Sequence, residues 1–164
     1  MGDVPGISGT LKVRDGRASD AEDIAAMIEE LVAHEGTGAK LAFTVDQLLA
    51  ALNSGCLRAV VAEDAEGVVG FVSYTYDFAI WSGGEILRVD DVYVRARARR
   101  CGVGQRMMAR IAELAQGSAG PVRWELEAKN LEAQRFYASL GVELRDKVVA
   151  RWSPDAMRAL LKRG

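Results

Sequence analysis

Two aspartates and one glycine turn hold most of the chemical potential of this chain. Asp90 and Asp91 interrupt the otherwise apolar stretch Leu87–Val94. A carboxylate in the middle of a strand costs free energy unless it is paired or used. Paired, it would face an arginine such as Arg88. Used, it would attract an ammonium group and help to remove its proton, directly or through water. A free alkyl amine has a pKa of about 10.4, so losing that proton is part of the barrier to any attack by its nitrogen at neutral pH. Period-two alternation puts Asp90 on the face of Val92 and Val94, and Asp91 on that of Tyr93.

The turn follows at once: Arg99-Arg100-Cys101-Gly102-Val103-Gly104. Its glycines let the backbone bend sharply and approach a ligand. Its amides, continued by the free N–H groups of a helix start, form a site for an anion such as phosphate. It is not a dinucleotide fingerprint, because Met107 stands where the third glycine is needed, and no Gly-Lys-Ser/Thr makes it a Walker loop. Arg95, Arg97, Arg99, Arg100, Arg106 and Arg110 surround it. They suit either a solvated basic surface or a polyanionic ligand held by amides and guanidinium groups.

The elements that must position these groups can be read from apolar spacing. Leu87, Val89, Val92, Tyr93 and Val94 make a strand, and Val103, Met107, Ile111 and Leu114 one face of a helix. Before them come a short strand over 11–14, a helix opened by a Ser19/Glu22 capping box and ending near His34-Glu35-Gly36, a loop over 36–38, and a second helix opened by Thr44 and Gln47. Strands over 57–62 and 68–76 form a hairpin, and an apolar loop runs from Phe78 to Gly84. After the central helix come an alternating strand over 122–127, a helix capped by Asn130 and closed by Gly141, and strands over 142–144 and 148–152. Ser153-Pro154 can open a terminal helix. The order is that of a mixed α/β layer structure.

Composition narrows the class. The chain has 164 residues, enough for one well-filled core, and a formal net charge of −2. This balance argues against a nucleic-acid binder, since the basic cluster is local and aromatic residues do not interleave with it. No run of about 18 apolar residues suggests a membrane span, and MGDVPGISGT lacks the apolar core of a signal peptide. Cys56 and Cys101 have no metal-ligand spacing and read as free thiols of a reducing cytoplasm. The expected organisation is a flexible tail over 1–10 and a single domain over 11–164.

The central segment resembles the GNAT superfamily of acetyl-CoA-dependent N-acetyltransferases. The pattern Gln/Arg-x-x-Gly-x-Gly/Ala is matched by Arg99, Gly102 and Gly104. A second motif is matched by Asn130–Tyr137 with Leu140-Gly141. The resemblance runs from about Leu11 to about Trp152. It implies a mixed, mostly antiparallel sheet of about seven strands, flanked by helices and splayed where acetyl-CoA enters. It implies that the amides from Arg99 through Gln105 (Arg99, Arg100, Cys101, Gly102, Val103, Gly104 and Gln105) hold the pyrophosphate. It further implies that the backbone of Val92, Tyr93 and Val94 runs beside the pantetheine arm, and that Asn130, Ala133 and Tyr137 approach the cofactor. Tyr137 takes the position that protonates the departing sulfur. No metal is implied.

Within the superfamily the chain is similar to the diamine (spermidine/spermine-type) and thialysine acetyltransferases, through Glu29–Glu35, Phe71–Asp77 and Asp90–Val94. That likeness implies a substrate amine facing His34, Glu35 and Asp90, and a homodimer, with the last strands and the loop from Phe78 to Trp81 as candidate contacts. It departs in three places. An aspartate replaces the family's glutamate on the strand, Arg100 replaces a glycine in the turn, and Arg145-Asp146-Lys147 is shorter and less acidic than the family's loop. The readings left open are acetyl transfer to a small amine, acetyl transfer to a protein or peptide, and a non-catalytic acyl-CoA-binding module.

Overall fold

The computed structural model describes residues 6–36 and 40–163. The start of the expected tail and most of the expected loop at 36–38 lie outside the described residues. The chain forms two compact units, Met1–Glu125 and Leu126–Gly164.

The first unit is built on an antiparallel four-stranded sheet in the order β1-β2-β3-β4, with β1 at Lys12–Asp15, β2 at Arg58–Asp64, β3 at Gly67–Ala79 and β4 at Gly84–Val94. On one face, helices α1 (Ala21–Glu35) and α2 (Val45–Ser54) bury Ile24, Met27 and Leu48 against Ala59, Val61, Phe71 and Tyr93. Helix α3 (Val103–Leu114) packs on β2 and β3 and buries Val103, Met107, Met108 and Ile111. Each fully buried apolar side chain of this kind stabilises the fold by roughly 1.5–3 kcal/mol. Among the described residues, no helix is long and apolar enough to cross a membrane.

Local chemistry explains the element starts. Thr44 caps α2 as expected: Gln47 N donates to Thr44 Oγ1 at 3.2 Å, and Thr44 N to Gln47 Oε1 at 2.9 Å. The start of α1 differs from the Ser19/Glu22 expectation. Ala18–Asp20 form a single 3₁₀ turn and α1 begins at Ala21. Asp20 is the residue that fixes this corner, because it accepts from Arg17 N at 2.7 Å and binds both terminal nitrogens of Arg14, at 2.8 and 2.9 Å. Residues near the N-terminus are tied to the sheet by Ser8 N donating to Asp64 Oδ2 at 2.9 Å.

The strand count departs from about seven. Alternating burial over 122–127 is present, but the stretch shares only one parallel bridge with β4, Arg88 to Arg123. Residues 119–123 run beside the first half of β4 through Ala119 N to Glu85 O, Arg123 N to Leu87 O and Val89 N to Arg123 O. That pairing stops at Val89, too short for a ladder. In the second unit, α4 (Leu131–Ser139) and α5 (Pro154–Leu161) form as expected, α5 with Ala156 N on its Ser153 cap. The expected strands over 142–144 and 148–152 do not form. Their β-branched residues favour extended backbone, but none of the described residues supplies a partner strand, and Val148 is 93% exposed.

Candidate active site

Strand β4 positions the first set of groups. Its pairing with β3 steps from Ser73↔Asp91 to Tyr74↔Val89, so Asp90 is an extra residue in a β-bulge. The bulge overturns the simple alternation expected for the two aspartates. Asp91 is opposite Ser73, and Arg88 is opposite Thr75, on the same face of β3. The Asp90 carboxylate lies 3.6 Å from Arg88 Nε and so joins that face instead of the opposite one. Asp90 keeps about a third of its side-chain exposure, and its ion pair is a loose one. Burial raises its pKa above the ordinary carboxylate value; Arg88 opposes this, while Asp91 and Asp77 add to it. The Arg88 pairing and the shift toward a stronger base are therefore present together.

The turn after β4 has the shape an anion site needs. Arg100 adopts φ 61° and Gly102 φ 76°, both left-handed. Arg100 thus occupies a conformation that favours glycine, at the very place where it replaces one. Helix α3 starts at Gly102 with no side-chain cap, and Arg106 N closes its first turn on Gly102 O at 3.0 Å. The amides before Arg106 point out of the helix start, where the helix dipole favours negative charge. Among the described residues, apart from its chain neighbours, a Cβ placed at Gly102 would meet nothing within 4 Å, so the turn is uncrowded at that point. These features fit a pyrophosphate.

The arginines divide. Arg97 is engaged by Asp64, Arg110 by Asp15 and Glu113, and Arg95 lies 3.2 Å from Glu30 Oε1, close enough for an ion pair although not aligned as a hydrogen bond. Arg100 and Arg106 make no ion pair among the described residues and face solvent. Arg99 does something the sequence did not disclose. Its Nε donates to Val94 O at 3.0 Å, its guanidinium covers the Tyr93 ring at 5.4 Å, and Nη1 lies 3.4 Å from His34 Nε2. Tyr93 in turn donates to Glu30 Oε2 at 3.2 Å. The end of α1 and the turn are thereby joined through one side chain. His34 and Glu35 are both exposed at that helix end. The carbonyl of Val94 is engaged by Arg99, while Cys101 donates from Sγ to Arg99 O at 3.3 Å and so helps shape the turn.

The remaining candidates belong to the second unit. Asn130 caps α4, its Oδ1 accepting from Ala133 N at 3.0 Å. Tyr137 is 6% exposed, with its ring beside Phe136 at 5.1 Å between centroids. Burial pushes its phenol up to about 12, so it stays protonated at neutral pH and has a proton to give.

Sequence reasoning missed Ser73, Glu30 and the role of Arg99. A serine between Val72 and Tyr74 in an apolar strand was the available signal for Ser73. Among the described residues, no group of three or more His, Cys, Asp or Glu side chains is placed to hold a metal ion.

Comparison with known proteins agrees with this geometry. An acetyltransferase (GNAT) domain family matches residues 55–143. The chain is 28% identical to thialysine N-epsilon-acetyltransferase of Mus musculus over 93% of this chain and 98% of that one. It is 29% identical to the Caenorhabditis elegans protein of the same name, over 64% of each chain. Among solved structures, a possible acetyltransferase from Clostridium difficile 630 superposes with a TM-score of 0.76 at 23% identity, over 87% of this chain and 97% of that one. A ribosomal-protein-alanine N-acetyltransferase from Brucella melitensis shares the fold at a TM-score of 0.69 and 15% identity, over 87% of this chain and 100% of that one. An uncapped helix start behind a left-handed turn, at the end of a bulged strand, is thus matched by a family model over more than half of the sequence: the chain belongs to the GNAT acetyltransferase family.

Proposed function

We propose that the protein transfers the acetyl group of acetyl-CoA to the primary amine of a small molecule, a polyamine or lysine analogue, by direct attack in a ternary complex. The observation that carries this reading is the conjunction on β4 and α3. A carboxylate with raised pKa sits at a bulge, one strand-end away from a turn open to an anion. Names of relatives support the acceptor class, since the mouse and nematode proteins are thialysine acetyltransferases.

Acetyl-CoA supplies an activated thioester. The chain's own residues do the rest. The α3 amides and Arg106 hold the pyrophosphate, and the outer edge of β4 at Val92 and Val94 guides the arm. Asp90 attracts the substrate ammonium and accepts its proton, directly or through water, so that the nitrogen pair can form the new C–N bond. His34 and Glu35 line the approach from α1. As the C–S bond breaks, Tyr137 gives its proton to the sulfur, and the proton that the nitrogen sheds as the amide forms returns through water to the phenolate. A homodimer in the cytoplasm is part of the same reading.

The test is thiol release from acetyl-CoA against polyamines, lysine, its thioether analogue and peptides, with Tyr137→Phe alongside. Turnover with a diamine-like class, and about a 10²-fold lower kcat in the variant at unchanged CoA affinity, is the expected outcome. Turnover only with peptides, or CoA binding with no turnover at all, would refute the small-amine reading.

A further inference from the structure

Next to the Asp90 bulge lies a hydroxyl that is almost completely buried. Ser73 is 3% exposed, and one oxygen there serves the same residue twice. Asp91 N donates to Ser73 Oγ at 3.0 Å, and Ser73 Oγ donates to Asp91 Oδ2 at 3.1 Å. A bulge leaves backbone groups out of the strand ladder, and a buried N–H without a partner is costly. Here the Ser73 hydroxyl takes the amide that follows the extra residue. It also points the Asp91 carboxylate along the face that holds Asp90, Arg88 and Asp77.

We infer that Ser73 is a positioning residue: by pinning the amide and carboxylate of Asp91 it fixes the bulge and so sets where Asp90 stands. This rests on the reading that Asp90 takes part in removing the amine proton. The charged groups facing Asp90 are Arg88 and Asp91 on its own strand and Asp77 on β3. Burial makes Asp90 a stronger base, and the neighbouring Asp91 carboxylate acts in the same direction. Without the hydroxyl, Asp91 is free to turn toward water and the bulge to relax. Asp90 then loses both influences.

The experiment is an NMR titration of the ¹³C-labelled Asp90 carboxyl in wild type, Ser73→Ala, Ser73→Thr and Asp91→Asn, with Asp90→Asn for assignment and thermal unfolding of each. The Asp90 midpoint should fall by about half a pH unit in Ser73→Ala and in Asp91→Asn, and stay at the wild-type position in Ser73→Thr. With the preferred amine, kcat/KM should fall about 10-fold in Ser73→Ala, with the KM for acetyl-CoA within about twofold of wild type. A midpoint unmoved in Ser73→Ala overturns the inference. If that variant does not fold, an unmoved midpoint in Asp91→Asn does the same. A wild type that shows the titration pattern but releases no thiol with any amine would overturn the functional reading instead, with the hold of Ser73 on Asp90 measured independently.

Discussion

Two corners of the same sheet treat an aspartate in opposite ways. At the junction of β1 and α1, Asp20 is 5% exposed, held by both terminal nitrogens of Arg14 and by Arg17 N, and these bonds lower its carboxyl pKa. Asp64, bound in the same forked way by Arg97, is lowered too. At the β4 bulge, Asp90 has a single arginine at 3.6 Å, no hydrogen bond from it, and a raised pKa. Forked, charge-assisted bonds fix an anion and remove its basicity. A loose pair beside a second carboxylate leaves the basicity in place. The first arrangement builds the fold, and the second can take a proton.

The largest effect that would sharpen this contrast is on rate. Asp90→Asn keeps shape and removes the base, so kcat/KM for the amine should drop about 10²-fold or more, with melting temperature nearly unchanged. A drop in stability with unimpaired turnover would place Asp90 with the structural aspartates. The converse substitution is Asp20→Asn, which leaves Arg14 with Glu63 as its remaining carboxylate partner among the described residues. It should cost roughly 3 kcal/mol and lower Tm by about 6–12 °C, read by calorimetry, while the activity of the folded fraction persists.

A pH series separates the two kinds by sign. Asp20 and Asp64 have folded pKa values below their unfolded ones. Their stabilisation is present above the ordinary carboxylate range and is lost as pH falls through the depressed values. Asp90 is raised. Its contribution to stability is present below the ordinary range and is lost as pH rises through its folded value, where it becomes the free base. Activity should therefore fall on acidification before the protein unfolds, as followed by thiol release and circular dichroism on the same samples. Coincident loss of both would break the contrast.

The turn offers the smallest effect. Arg100 at φ 61° carries backbone strain that glycine would not, offset in part by the greater freedom of an unfolded glycine. Arg100→Gly should raise Tm by about 1–2 °C and weaken CoA binding modestly, through loss of one cation.

Much of this was legible in the sequence. Apolar spacing placed α1 through α4, Ser153-Pro154 alone marked α5, and the Thr44 and Asn130 caps were read from residue type, because short-range hydrogen bonds are local in sequence. The glycine turn and its uncapped helix were legible for the same reason. The strands after residue 121 were not, since a strand exists only with a neighbour, and β propensity at Val148 or Trp152 cannot supply one. Nor was the bulge. Strict alternation separated Asp90 from Asp91 onto opposite faces, and only the register against Ser73 shows them brought together. The link from His34 through Arg99 to Val94 joins residues 65 positions apart and has no local signature.

The measurement closest to the central claim follows the acetyl group itself. The protein would be incubated with acetyl-CoA labelled at the carbonyl carbon and an equimolar mixture of polyamines, lysine, its thioether analogue and a peptide, and the products read by mass spectrometry and NMR. The expected result is one amide, with label on a primary amine nitrogen of a small diamine-like acceptor, and none with the Asp90→Asn protein over the same time. Label recovered on the peptide alone, or as free acetate with every amine unchanged, would contradict the account.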